Sequence, residues 1–566
     1  MRPTRIRLRL AGLAAALVAV SVLAADNAGV LPDPEALRSI KDTELRHHIQ
    51  VLSSDAFEGR APGTRGEELS VRYLTETFRQ LGLAPGNPDG SYVQEVPLIG
   101  ITSQPQLHLE VKGQRLDLVP TQDFVGSSAL PQPRVVVQDS PLVFVGYGVV
   151  APEFGWDDYK DVDVHGKTVV VLMNDPQLGG PRLDPALFRG AIKTTYASNR
   201  YKRTLAAEKG AAAMIIVHEA AHAGWEFALA RTDAGREHLQ LRDDPAPRLQ
   251  FEAMMPIAHV RQLVRMAGHD FETLRKRAQQ RDFRPVALDA TASFDVISTF
   301  RDVVSHNVVA RIDGREGARS DEVIIYTAHW DHLGRDPRLA GDQIYNGAVD
   351  NASGVAAMLE IAKAWRRLPH PPARSVLFMA TTAEEQGLLG ARHYVANALY
   401  PLSRTVVDLN LDVIGFWATT RDIRVVGLAE TSMDPLLRTV AAALHRTVSP
   451  DPAPWEGANQ RQDAYAFALG GVPSLYFARG SQHLTGIIRD TGSPRERMSP
   501  GVPYDDYHQV DDTIKHDWNY EGAVDVTRFA FAVGYRLAES EAFPDWLRGS
   551  EYKARRDAVM AAGPTH

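Results

Sequence analysis

VIIYTAHWDHLG, residues 323–334, is the stretch on which the fold turns: a β-branched and aromatic run that ends at His329 and is closed by Gly334. A short apolar run bounded in this way predicts a strand. SVLFMATT (375–382) and VVDLNLD (406–412) repeat the form, and between the first two strands Val355, Met358, Leu359, Ala362 and Trp365 fall on one face of a helix. Strands alternating with amphipathic helices from Asn307 onward predict an α/β domain, its central sheet mixed and mostly parallel, flanked by helices. In open α/β sheets, ligands gather outside the carboxyl ends of the strands. His329, Glu384, Glu385 and Asp412 all lie at or just past such ends. Ligands scattered through helices would show no such placement.

Each of these side chains has a chemical reason to be there. His329 and Asp331 face the same way along an extended segment, so Asp331 is placed to accept the second ring N–H of His329 and fix its tautomer. Asp350 stands in the turn YNGAVDNASG, where Asn351 and Ser353 can cap the helix that follows. That leaves Asp350 free to offer an oxygen to each of two ions. Glu384 and Glu385 are adjacent carboxylates that need a positive partner. One can ligate while the other accepts a proton from the attacking water. Asp412 ends a strand whose alternation also puts Asp408 and Asn410 on its face, so periodicity leaves three polar candidates there. His508, in YDDYHQVDDT, is surrounded by acids that can orient it. Together these residues supply nitrogen and oxygen ligands for two metal ions and one carboxylate to spare as a base, the equipment of a hydrolase.

With 566 residues, two or three domains are expected, and the formal charge of −8 is mild for that length. No basic run interleaved with aromatics is present, which argues against nucleic acid or an anionic membrane as partner. MRPTRIRLRL followed by AGLAAALVAVSVLAAD has a basic start, an apolar stretch and small residues before Asp26. It predicts a cleaved secretory signal over residues 1–25, because the apolar stretch falls short of the ~20 residues of a spanning helix. There is no cysteine, hence no lipid-attachment site and no disulfide framework. The expected product is exported, periplasmic or secreted, with no stable membrane anchor after cleavage.

Between Pro34 and Gly86 the pattern is helical, with Leu69, Tyr73, Leu74, Phe78 and Leu81 on one face. Strand-like alternation follows near Leu107–Val111. Apolar runs at Leu142–Val150, Val169–Met173 and Met214–Val217, with a helical TYASNRYKRTLAAEKG before the third, predict a small separate unit over 135–290. His218, His222 and Asp233 in that span have no metal-like spacing and are expected at the surface. The stretch Arg479–Pro503 is expected to be a surface loop.

Five segments, TAHWDHLG (327–334), YNGAVDNASGVAAMLEIA (345–362), TTAEEQGLLGARHY (381–394), LNLDVIG (409–415) and YHQVDDT (507–513), carry a resemblance in order and spacing to the di-zinc aminopeptidase family. That family also includes glutamate carboxypeptidase II, the transferrin receptor and, more distantly, glutaminyl cyclase. SSDAFEGRAPGTRGEELSVRYL resembles the amino-terminal part of such peptidases, and 135–290 resembles the β-rich protease-associated domain inserted into them. The implied division is a signal at 1–25, peptidase segments at 26–134 and 291–566, and the insertion at 135–290. The resemblance implies that His329 and Asp412 hold one zinc, Glu385 and His508 the other, and that Asp350 bridges. It further implies that Asp331 orients His329, Glu384 is the general base and Tyr507 stabilises the oxyanion. Relatives often carry an Arg-Ser-Asp-His-Tyr-like stretch where this chain has Arg461-Gln462-Asp463-Ala464-Tyr465, which is expected to border the cleft.

The implied activity is removal of amino-terminal residues from peptides with a free amino terminus. Carboxypeptidase action with Arg461 or Arg479 as carboxylate anchor, a glutaminyl-cyclase-like acyltransferase with a single zinc, and a non-catalytic receptor-like role are the alternatives; the complete ligand set argues against the last two. Without a thiolate, Co²⁺ or Mn²⁺ also suits the ligands.

Overall fold

A computed structural model describes residues 31–177, 186–482 and 506–563 apart from Gly224, Ala318 and Trp417, together with Gly29, Asp184 and Leu484. The expected signal over 1–25, most of the loop to Pro503 and the side chain of Asp233 lie outside the described residues. Among the described residues no helix is long and apolar enough to cross a membrane.

The strands Val323–His329, Ser375–Thr381, Thr405–Asn410 and Ser474–Arg479 form the parallel centre of a mixed sheet. Their sequences lack polar alternation because both faces are covered. Ile324, Tyr326 and Ala328 enter a core shared with the helices Asp42–Leu52, Ser353–Arg366 and Glu521–Glu539. Val323 and Ile325 point the other way, against the helices Leu389–Ala396 and Asp463–Leu469. Ser353–Arg366 is buried around nearly its whole circumference and not along one face only.

The opening helical segment forms as expected. Leu74 and Phe78 of the helix Arg65–Gln80 are buried, and Leu69, Tyr73 and Leu81 pack beside them.

One tight contact in this core gives a test of the packing. A Cβ built on Gly534 would lie 1.8 Å from Tyr326 Oη, whose hydroxyl donates to Ala530 O at 3.1 Å. Gly534→Ala is expected to destabilise the fold by about 1–3 kcal/mol, measured by denaturant titration, because a fully buried ring has no free volume into which to retreat.

The long strand Val286–Ile312 joins this part to a second layered unit. It pairs antiparallel with Val93–Val111 along most of its length, with Arg134–Phe144 at one end and with Ser375–Thr381 at the other. Beyond Arg134–Phe144 the strands Thr168–Leu172, Ala213–His218 and Phe251–Pro256 continue in parallel. Their side chains again divide between two cores, and one of these also takes in Leu107, Leu109, Phe124 and Val296.

His218 departs from the expected surface position. It ends a strand covered on both faces, is 3% exposed, and packs against Trp225 and Phe227 with ring centroids 4.5 and 5.5 Å away. His222 is half-buried and lies 2.8 Å from Glu219.

Candidate metal centre

The parallel strands deliver their carboxyl ends to one place. His329 is the last residue of its strand, Glu384 and Glu385 follow Ser375–Thr381, Asp412 follows Thr405–Asn410, and Asp350 lies in the turn before Ser353–Arg366. His329 Nε2 is 3.2 Å from Asp350 Oδ1 and 3.1 Å from Asp412 Oδ1. His508 Nε2 is 3.3 Å from Asp350 Oδ2 and 2.9 Å from Glu385 Oε2. Asp350 thus presents one oxygen to each histidine. Asn351 and Ser353 take the capping tasks that leave it free: Asn351 Oδ1 accepts from Gly354 N at 2.9 Å, and Ser353 donates to Val349 O at 2.6 Å.

His332, to which no sequence expectation attaches, is a further member. Its Nδ1 lies 2.7 Å from Glu385 Oε1, and its ring meets that of His508 edge-on. Among the described residues, two sets of three side chains come close enough to share an ion: His329, Asp350 and Asp412, and His332, Asp350 and Glu385. Its place directly after Asp331, inside a segment already rich in site residues, is the sequence signal that points to it.

Asp331 does more than face His329. The ring Nδ1 is 3.1 Å from the main-chain oxygen of Asp331 and 3.7 Å from its carboxylate. That carboxylate accepts the backbone N–H groups of Glu384 and Glu385 at 3.1 and 3.4 Å. Asp331 therefore ties the strand end to the bend that presents both glutamates. Glu384 Oε2 stands 4.0 Å from His329 Nε2, beside the cluster without bonding into it. Tyr507 stacks on His508, with ring centroids 3.8 Å apart.

Arg60 also escapes periodicity. Fully buried, it donates to the carbonyls of Trp330, Leu52, Asn346 and Gly347 and so fixes the segments on either side of His329 and Asp350. Burial pushes its guanidinium down to about 10, against the pull of Asp512, Asp350, Asp331 and Glu385. Ala383, Val413 and His508, each at or next to a site residue, hold positive φ values of 51°, 46° and 57°. Non-glycine residues keep such conformations where surrounding structure over-determines them, commonly at functional sites.

The electrostatics are those of a cation-seeking pocket. Burial drives the Glu384 carboxyl well above its ordinary range; His329 opposes this, and Asp412 and Glu385 add to it. Burial and Asp350 act to raise Glu385, but His508 and His332 hold it down at about 2. Burial disfavours a charged His508, yet Glu385 and Asp350 lift it to about 10. Burial also pushes the Tyr507 phenol well up, helped by Asp350 and Glu385, so it remains a proton donor. Among the described residues the buried Nε2 of His332 has no hydrogen-bond partner, and His508 Nε2 lies 3.3 and 2.9 Å from the carboxylates of Asp350 and Glu385. Imidazole nitrogens held this close to carboxylates suit ligation of a shared cation, which takes the place of the ring proton. A donor set of imidazoles and carboxylates without thiolate fits zinc, cobalt or manganese.

Around this cluster, Asp463 is buried and accepts the Thr381 hydroxyl, and burial raises its carboxyl to about 7. The charge of Arg461 reaches Tyr507.

Residues 307–533 match the model of Peptidase family M28. Among curated proteins the chain is 32% identical over 120 residues to Aminopeptidase YwaD of Bacillus subtilis, covering 21% of this chain and 24% of that protein. It is 35% identical over 109 residues to a protein of Pyrenophora teres f. teres named "Probable zinc metalloprotease", covering 19% and 22%. The matched stretches thus span about a quarter of these relatives. Among solved structures, an aminopeptidase from Aneurinibacillus sp. strain AM-1 superposes with a TM-score of 0.52 at 19% identity, covering 90% of this chain and 96% of that one, and so shares the fold. The segment that matches the M28 model, residues 307–533, is the one that supplies His329, Asp350, Glu384, Glu385, Asp412 and His508.

Proposed function

We propose that this protein is an exported zinc aminopeptidase that removes amino-terminal residues from peptides at a two-ion centre. The observation that carries the reading is Asp350, which offers separate oxygens to His329 and to His508 within hydrogen-bonding range of both. His329 and Asp412 would hold one zinc, Glu385 and His508 the other, and Asp350 both. His332 hydrogen-bonds Glu385 and fixes the orientation of its carboxylate. Zinc, when bound, supplies Lewis acidity that activates water and polarises the scissile carbonyl.

The remaining chemistry belongs to the side chains. Glu384 takes a proton from the attacking water and returns it to the leaving amine, a role favoured by its burial and by its place beside the ligands, 4.0 Å from His329 Nε2. Tyr507 donates its hydroxyl to the oxyanion. The excess of buried carboxylates favours a substrate ammonium over a substrate carboxylate, which points to amino-terminal and not carboxy-terminal cleavage. The relatives named aminopeptidase and zinc metalloprotease support the same class of activity. Residues 135–290 are assigned as a protease-associated insertion that restricts access to the cleft, and residues 1–25 as the export signal.

The test is hydrolysis of matched peptides with free and blocked amino termini, before and after chelation and zinc return. Activity on free termini alone, abolished by chelation and restored by zinc, is the expected result. Cleavage of blocked peptides with a free carboxylate would move the assignment to carboxypeptidase and make Arg461 its anchor.

A further inference from the structure

Residues 232–241 leave the second unit and lie against the metal centre. Arg236 Nη2 donates to Leu333 O at 2.6 Å, and its guanidinium sits over the Tyr345 ring at 5.3 Å. Arg338 reaches back from the same loop to Ala234 O at 2.8 Å and Thr232 O at 3.1 Å, while Asp336 holds its guanidinium at 2.9 and 2.8 Å. Further along, the backbone N–H of Leu239 donates to Gln386 Oε1 at 3.1 Å. Leu239 also packs in a small apolar cluster with Ala383 and Leu389. The strap is anchored in turn: His238–Leu241 pairs with residues 98–101, and Glu237 binds Arg301 through two contacts of 2.7 Å.

These contacts fall on two particular positions. Leu333 directly follows His332, and Gln386 directly follows Glu385, the two side chains joined by a 2.7 Å contact. We infer that the strap 232–241 is a positioning element for the Glu385 side of the metal centre, with Arg236 setting the backbone that carries His332. Among the described residues the His329–Asp412 side receives no contact of this kind from the strap; Arg60 braces the segment common to both sides, through Trp330 O and the N–H of His332. Hydrogen bonds outside a ligand set commonly govern metal affinity by tenfold or more, because they fix ligand orientation before the ion arrives. The inference rests on the two-ion reading proposed above. It adds that residues far from 307–533 in the sequence complete one half of the site.

The test is zinc uptake by the full-length protein, titrated in competition with a chromophoric chelator. The wild type is expected to take up two equivalents. Arg236→Met, which keeps the aliphatic stem and removes the donors, should weaken one equivalent about tenfold and leave the other in place. Arg236→Lys, able to donate one bond, should recover part of the loss, and Gln386→Met should shift the same equivalent in the same direction. The retained equivalent reports an intact fold in each variant. Unchanged affinities, the result for a strap that only fastens the chain together, would overturn the inference, as would equal weakening of both equivalents. A wild type that takes up one equivalent or none would overturn the two-ion reading and this inference with it.

Discussion

Glu384→Gln is expected to lower kcat by about a hundredfold to ten-thousandfold, the range a positioned general base contributes. Metal uptake and thermal unfolding should remain close to those of the wild type. Glutamine preserves the shape of the side chain and cannot take the proton. The fold loses little, because the hydrogen bonds from this position to Asp331 run through the backbone N–H groups of Glu384 and Glu385. Its carboxylate lies 4.0 Å from His329 Nε2, outside the shorter contacts that join His329 to Asp350 and Asp412. Steady-state kinetics on a free peptide, paired with zinc analysis of the same sample, checks it. Near-normal turnover would remove Glu384 as the base, and loss of zinc in parallel would make it a ligand instead.

Asp350→Ala is expected to abolish activity through the metals and not through the base. Among the described residues Asp350 alone lies within reach of both His329 and His508, so its removal should weaken both zinc equivalents together. The contrast with Arg236→Met, where one equivalent is affected, separates a bridging ligand from a one-sided brace. The Asp350 carboxyl is buried; His329 and His508 outweigh that burial and hold it well below the usual carboxylate range. Truncation leaves the imidazoles of His329 and His508 without their common partner, and a buried group stripped of its partner costs far more than a surface one. Retention of two full zinc equivalents in this variant would refute bridging. Asp350→Asn offers a milder check, since it keeps the size and one oxygen but not the charge.

The strand at 406–412 marks how far periodicity can be trusted. Alternation put Asp408, Asn410 and Asp412 on one face, and resemblance alone chose among them. The fold explains the ambiguity: this strand is buried on both faces, so polarity does not report which side faces the site. Asp408 Oδ1 accepts from Thr327 Oγ1 at 2.8 Å, and Asn410 Nδ2 donates to the same hydroxyl at 2.9 Å, between neighbouring strands. Burial raises the Asp408 carboxyl well above its ordinary range. Only Asp412, beyond the last paired residue, reaches His329. His218, expected at the surface because its spacing is not metal-like, is a core residue because its strand too is covered on both faces.

What the sequence determined by itself is local in origin. Strand runs, the capping turn around Asp350 and the strand-end positions of His329, Glu384, Glu385 and Asp412 follow from residue chemistry and from the rule that parallel sheets open their sites at the carboxyl ends. What only the tertiary structure decided is pairing over long separations. His332 finds Glu385, Arg60 finds four carbonyls on other segments, Asp331 finds the N–H groups of both glutamates, and the strap 232–241 finds Leu333 and Gln386. These partners have no fixed spacing in the chain, because a hydrogen bond is set by distance in space after the sheet has formed. Such contacts leave no period in a sequence to detect.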